Sequence, residues 1–130
     1  MKSSKILILG IFVILLFSNF KQRSICFQNG LIEVYFSNKL DIADLSKIKT
    51  DLLEKGIKLN YDYLKFGEDG KLVAIKYSVR GDKFGGADET DNLNNEIGFI
   101  INTNPNRKYD IIVGLKDDVQ KRRIALSKQN

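Results

Sequence analysis

Residues Ile57–Val79 read IKLNYDYLKFGEDGKLVAIKYSV, two runs of β-branched and aromatic residues joined at Glu68-Asp69-Gly70-Lys71. Asp-Gly between alternating runs is a strong short-range hairpin signal. A type I′ turn needs φ > 0 at both central residues, which Gly70 adopts freely and Asp69 tolerates. A two-residue turn sets Phe66 opposite Val73 and Leu64 opposite Ile75, all on one face. Continued without interruption, that register would carry Asp62 and Asn60 onto the apolar side. One extra residue near Asp62-Tyr63 instead places Tyr61 beside Tyr77 and Leu59 beside Val79, so a β-bulge is predicted there.

Working outward, Asp41–Lys55 (DIADLSKIKTDLLEK) is predicted to be a helix. Asp41 is the N-cap, and Asp44 adds negative charge where the helix dipole favours it. Ile42, Leu45, Ile48 and Leu52 form an apolar stripe for the protein's own sheet. Asp51 and Lys55 have the i, i+4 spacing of an ion pair, and Gly56 is placed to end the helix. Leu31–Ser37 reads as a half-buried strand, with Ile32, Val34 and Phe36 on one face and Glu33 and Tyr35 on the other. Ile97–Thr103 is a further strand, Asn104-Pro105-Asn106 a turn, and Tyr109–Leu115 a last strand. Asp117 can cap a short C-terminal helix over Asp118–Ser127, whose apolar content is thin.

Arg80–Glu96 (RGDKFGGADETDNLNNE) is the longest polar stretch and reads as a loop. Its glycines lack the spacing of a phosphate-binding loop. Asp88, Glu89, Asp91 and Glu96 could offer oxygen ligands to calcium, and Asp88, Asp91 and Glu96 are the candidate ligands. The EF-hand spacing is missing, so the reading is a solvated loop with no metal or cofactor assigned.

Two absences bound the chemistry. The chain has no histidine, which removes Ser-His-Asp and Cys-His nucleophilic systems and the HExxH zinc helix. It has one cysteine, Cys26, which removes an intrachain disulfide and any Cys-x-x-Cys pair. Carboxylate chemistry would fall to Asp62 and Asp82, which nothing in the sequence pairs. No catalytic residue is assigned, and the chain is read as a non-enzyme.

The net charge of +5 is unevenly spread. Residues 1–25 carry +4, residues 26–118 carry −3 and residues 119–130 carry +4. Nucleic-acid binding asks for a basic face on the fold itself. Here the excess sits at the two ends, so no nucleic-acid partner is expected. Behind Lys2 and Lys5, Ile6–Phe17 is a run of twelve apolar residues, counting Gly10. That length fits the ~7–15 residues of a signal-peptide core and falls short of the ~17–25 of a membrane-crossing helix. Cutting after Ser18 or Ser24 leaves Leu16 or Gln22 where a small residue belongs. A retained anchor, with Lys5 and Lys21 reaching out to the interface, therefore stands beside a cleaved signal. Ile25 and Arg23 do not suit a lipidation site at Cys26, which is read as a small residue near the first strand.

The ordered set Asp41-Ile42-Ala43-Asp44-Leu45, Lys49-x-Asp51-Leu52-x-x-Lys55-Gly56-Ile57 and Gly70-Lys71-Leu72-x-x-Ile75-Lys76-Tyr77 resembles a small repeated module. Such modules occur in membrane-bound, sensor-type zinc metallopeptidases of some Gram-negative bacteria and in short exported proteins related to them. The resemblance runs from Ile32 to Gly81, about 50 of the 130 residues. It implies the strand–helix–hairpin order and a place outside the cytoplasm. The peptidase activity of that family belongs to a separate HExxH domain, so no catalytic residue carries over.

The expected protein is an α+β domain over residues 26–118, with one helix on a four- to five-stranded antiparallel sheet in the order β-α-β-β-β-(β). An export segment or anchor (residues 1–25) precedes it and a basic tail (119–130) follows. The expected function is that of an exported, non-catalytic interaction or sensory module, periplasmic or membrane-anchored. It would meet an unknown protein partner by edge-strand addition, the natural edge being Tyr109–Leu115, and could touch the membrane through residues 1–25. The alternative is a small-ligand or cation-binding domain using the acidic loop 81–96.

Overall fold

The computed structural model describes residues 24–104 and 111–128, the last five of them as backbone alone. Residues 1–23, read as most of an export segment or anchor, and residues 105–110, with Pro105, Asn106, Tyr109 and Asp110 of the expected turn and strand, lie outside the described residues. The fold is α+β, with two helices and two antiparallel sheets. In chain order the elements are β1 (Ile25–Gln28), β2 (Leu31–Phe36), α1 (Ile42–Glu54), β3 (Lys58–Phe66), β4 (Leu72–Arg80), β5 (Gly85–Thr90), β6 (Ile97–Asn102), β7 (Ile111–Leu115) and α2 (Lys116–Lys128). One sheet has the order β1-β2-β6-β7 and the other β3-β4-β5. The expectation of one helix on one sheet is thus corrected: the strands divide between two sheets, β1 and β5 are added, and the short C-terminal helix expected over Asp118–Ser127 runs from Lys116 to Lys128 and packs on the first sheet.

Each difference has a physical reason. β1 joins β2 through Asn29-Gly30, where φ is 55° and 74°. Both values are positive, as a two-residue type I′ hairpin requires. β5 lies in the stretch read as a loop. It pairs along β4 from Arg80↔Gly85 to Ile75↔Thr90 although its own sequence, GGADET, has little strand preference. α2 runs through the basic C-terminal segment and buries Val119 with Leu31, Ile100 and Ile112 on the outer face of the first sheet. That face was read as solvated. Its coverage leaves β2 buried on both sides, and Glu33 is only 7% exposed.

α1 forms as its sequence dictates. Asp41 Oδ1 accepts from the Asp44 backbone N–H at 2.9 Å, and Asp44 Oδ2 accepts from the Asp41 N–H at 3.0 Å, a reciprocal capping box. At the other end Gly56 (φ 77°) donates to Leu53 O and Ile57 to Leu52 O, each at 3.0 Å, closing a Schellman motif. Leu45, Ile48 and Leu52 are buried as expected, whereas Ile42 is 58% exposed. At ~100° per residue, Ile42 sits roughly a quarter turn away from the centre of the other three. The expected Asp51–Lys55 pair is not made: Asp51 takes Lys47 at 3.2 Å, and Lys55 lies over the Phe27 ring at 5.4 Å.

The β3–β4 hairpin shows the predicted bulge. Tyr61 pairs with Tyr77 and Tyr63 with Lys76, so Asp62 is the extra residue, and Leu59 faces Val79. The turn differs from the type I′ expectation. Gly67 N–H donates to Lys71 O at 2.8 Å and Gly70 N–H to Gly67 O at 3.0 Å, with only Gly70 at positive φ. This is a three-residue loop closing on a left-handed glycine. A second register shift follows, between Lys65 and Phe66, which sets Phe66 opposite Leu72. Val73 is therefore turned outward, and Leu72 takes the buried place expected of it.

The two sheets and α1 enclose one core. Phe36, Tyr77 and Phe99 meet at its centre, with ring centroids 4.9 to 6.3 Å apart. Leu45, Ile48 and Leu52 pack there with Val34, Ile75 and Phe99, as their periodicity suggested. Each such side chain contributes ~1.5–3 kcal/mol when fully buried. Among the described residues no helix is long and apolar enough to cross a membrane.

Candidate interaction surface

Strands at the margins of sheets carry backbone groups with no partner, so the sheet order identifies the candidate surface. β3 is an edge, but it bears Lys58 and Lys65 and is bent by the Asp62 bulge. β5 is an edge bearing Asp88 and Glu89. Charges and bulges are the usual devices that keep an edge from pairing. β1 (ICFQ) and β7 (IIVGL) have neither, but β1 is the shorter and Lys55 lies over its Phe27 ring; among the described residues β7 is hydrogen-bonded to β6 alone.

The direction of the β7 backbone groups follows from three hydrogen bonds. Lys116 N–H donates to Glu96 O at 2.9 Å, so residue 116 points its backbone toward β6. Alternation then turns Gly114 and Ile112 toward β6 and leaves Ile111, Val113 and Leu115 facing outward. The other side of the sheet has the matching parity. Thr103 N–H donates to Gly30 O at 2.8 Å and Tyr35 N–H to Ser24 O at 2.9 Å, which turns Phe99 and Ile101 to β2 and Ile100 to β7. The side chains of Ile111 and Val113 pack on the core shared with the other sheet, and Ile112 packs under α2. Gly86 of β5 lies so close that a Cβ there would meet Ile111 Cδ1 and Val113 Cγ2 at 3.1 Å. Leu115, at the end of the strand, is 49% exposed.

A second surface lies between α1 and the β1–β2 margin, a groove of about 440 Å³. Its apolar part is Ile25, Leu40 and Ile48, and Tyr35 and Lys116 stand at its rim. Lys116 Nζ is 3.0 Å from Glu96 Oε2 and 5.3 Å from the Tyr35 ring centroid. The Tyr35 hydroxyl donates to Glu33 Oε1 at 2.9 Å, and Arg123 Nε lies 3.2 Å from Glu33 Oε2. Burial, and then the bond to Glu33, push the Tyr35 phenol well above its ordinary value. The rim is thus a chain of matched charges that fixes α2 to β2 and β6. The sequence sets Glu33 and Tyr35 on the face of β2 opposite Ile32, Val34 and Phe36. That placement pointed to a shared environment, but Arg123 could not be assigned to Glu33 from sequence.

The acids singled out in residues 81–96 do not gather. Asp88 stands on β5 opposite Tyr77, and its Oδ1 accepts from the Glu89 N–H at 2.9 Å. Glu96 is engaged with Lys116. Among the described residues no three acidic or cysteine side chains are placed to hold a metal ion. Asp62 is exposed at the β3 bulge, and Asp82 is exposed in the bend after β4. Cys26 is partly exposed on β1, opposite Glu33. Compared with family models, curated proteins and solved structures, the chain matches none.

Proposed function

We propose that this chain is an exported, non-catalytic interaction module that receives an extended segment of a partner protein along the free edge of β7. The observation that carries the reading is the edge itself, Ile111 and Val113 with outward N–H and C=O groups and Leu115 with an outward N–H, and no charge or bulge to guard them. Strand addition draws its affinity from such main-chain groups and its selectivity from the side chains beside them. Export is supported by Lys2 and Lys5 ahead of the apolar Ile6–Phe17 run, through which the protein would meet the membrane. The motifs resembling extracytoplasmic modules of sensor-type metallopeptidases fall on α1 with its two ends and on the turn and first part of β4. They support the same location.

The test is photo-cross-linking in intact cells, with a benzophenone side chain at exposed Leu115. Adducts should form outside the cytoplasm and vanish when Val113→Pro is added. That proline removes one outward donor and leaves the ladder to β6 intact, since proline is tolerated where an edge N–H faces away from the sheet. Adducts indifferent to Val113→Pro, or an N-terminus that keeps the protein in the cytoplasm, would refute the proposal.

A further inference from the structure

We infer that β7 pairs with β7 of a second copy of this chain, an inference that rests on the strand-addition reading above and names the partner. The argument is one of symmetry. An isologous contact uses the same patch on both subunits, so a strand that pairs with itself must be compatible with its own reversed sequence. In an antiparallel pair, a residue whose backbone faces the partner exchanges two hydrogen bonds with the residue opposite. The outward residues of β7 are its first, third and fifth, Ile111, Val113 and Leu115. A two-fold axis through Val113 sets Val113 opposite its own copy and Ile111 opposite Leu115 of the second chain. Val113 then exchanges two bonds with its copy and each Leu115 N–H donates to Ile111 O of the other chain, while the Leu115 carbonyl accepts the first hydrogen bond of α2. A shift by one residue would set outward groups against groups already committed to β6.

The side chains agree with that register. Ile111 and Leu115 meet on the core face, and the half-exposed Leu115 gains an apolar neighbour. On the opposite face Ile112 meets Gly114, a bulky residue beside one with no side chain. No charge lies on the strand, so reversing it brings no like charges together, the usual obstacle to self-pairing. β1 offers only two outward residues, Ile25 and Phe27, and β3 and β5 fail the same test. Pairing of β5 about Ala87, the centre of its outward residues, would make Asp88 a diagonal neighbour of its own copy, a like-charge pair, and the bulge at Asp62 breaks the regular repeat of β3. The product would join two four-stranded sheets into one continuous eight-stranded sheet, with the core of each copy unchanged.

The experiment is sedimentation equilibrium of the full chain in density-matched detergent, on a Cys26→Ser background. A monomer–dimer equilibrium is expected. Val113→Pro should weaken self-association at least tenfold, and Leu115→Lys, a change at an exposed site, should do the same by placing a charge against Ile111 of the other copy. An Ile111→Cys/Leu115→Cys variant should oxidise to a covalent dimer, because opposed residues in this register lie ~5.5 Å apart between Cα atoms, within disulfide range. A chain that stays monomeric up to about 1 mM, the scale of the weakest specific contacts, overturns the self-pairing. If Leu115 cross-links to another protein still vanish with Val113→Pro, strand addition stands with a different partner; if they do not, both fail. A dimer that survives both substitutions places the contact elsewhere and also overturns the inference.

Discussion

The Tyr77 hydroxyl donates a 3.2 Å hydrogen bond to the carbonyl oxygen of Gly98, joining the middle strand of one sheet to an inner strand of the other. Both residues are buried, and the Tyr77 ring fills the space between Phe36 and Phe99. Gly98 is required on its own side of the contact, since a Cβ there would run into the Val34 carbonyl oxygen and the Tyr35 ring. Tyr77→Phe keeps the ring and removes the donor. We expect a loss of ~0.5–1.5 kcal/mol, the net worth of one hydrogen bond, since Gly98 O keeps its ladder bond from Gly114; urea unfolding measures it. Gly98→Ala should cost about 3 kcal/mol, because backbone as well as side chain must move.

The same tyrosine sets a limit at alkaline pH. Burial raises the Tyr77 phenol above its ordinary 10.0, and the charge of Asp88 adds to the shift. Burial also raises Tyr61, whose hydroxyl donates to the Leu45 carbonyl at 2.7 Å. A folded-state value above the unfolded one means that the unfolded chain gives up the proton first. The stabilisation is therefore complete below the ordinary value and declines as pH rises beyond it. Urea midpoints should fall above pH 10 and fall less steeply in Tyr77→Phe; identical slopes would remove Tyr77 as a cause.

Arg123 tests how α2 is held. The Glu33 side chain is 8% exposed and that of Arg123 41% exposed, so the pair is only half screened. Arg123→Ala should cost ~1–2 kcal/mol, less than a fully buried pair because solvent reaches the arginine. Restoring neutrality with Glu33→Gln in the same chain should recover part of the loss. A strictly additive double-mutant cycle would show that α2 is held by Val119 and its apolar neighbours alone.

Gly30 tests the first hairpin. Its φ of 74° is one that a side chain adopts at a cost, and a Cβ would strike the Asn104 side chain. Gly30→Ala should destabilise by ~1–2 kcal/mol from the backbone alone. Hydrogen exchange should show the loss concentrated in β1 and at the Thr103 bond to Gly30.

What the sequence made legible was local. Asp41, Asp44 and Gly56 announce both ends of α1 because caps involve neighbours in the chain. The Asp62 bulge was readable because parity of apolar residues along one strand is a local count. The turn at Asp69-Gly70 was mistyped, since Asp-Gly suits a two-residue and a three-residue loop alike and tertiary pairing chose between them. Asn29-Gly30 carried the stronger type I′ signal, yet the strand before it is short and abuts an apolar export-like run. β5 has no periodicity to find; it exists because β4 offers an edge. The interaction surface was half legible. The sequence anticipates an edge strand at Tyr109–Leu115, of which Ile111–Leu115 forms β7, but which of its backbone groups face outward depends on Glu96 and β6. Glu33 needed Arg123, far along the chain, to be understood.

The bulges at Asp62 on β3 and between Lys65 and Phe66 opposite β4 have a consequence for how the chain avoids errors. Along β3 the core-facing residues are Leu59 and Tyr61, then Leu64 and Phe66; along β4 they are Leu72, then Ile75, Tyr77 and Val79. Each strand changes phase once, at a different height. A regular ladder can slip by two residues and still keep its apolar face inward. This one cannot, because any slip sets each phase change against a stretch of the other strand that lacks the matching offset. The two irregularities act together as the notches of a key, and the hairpin admits one alignment.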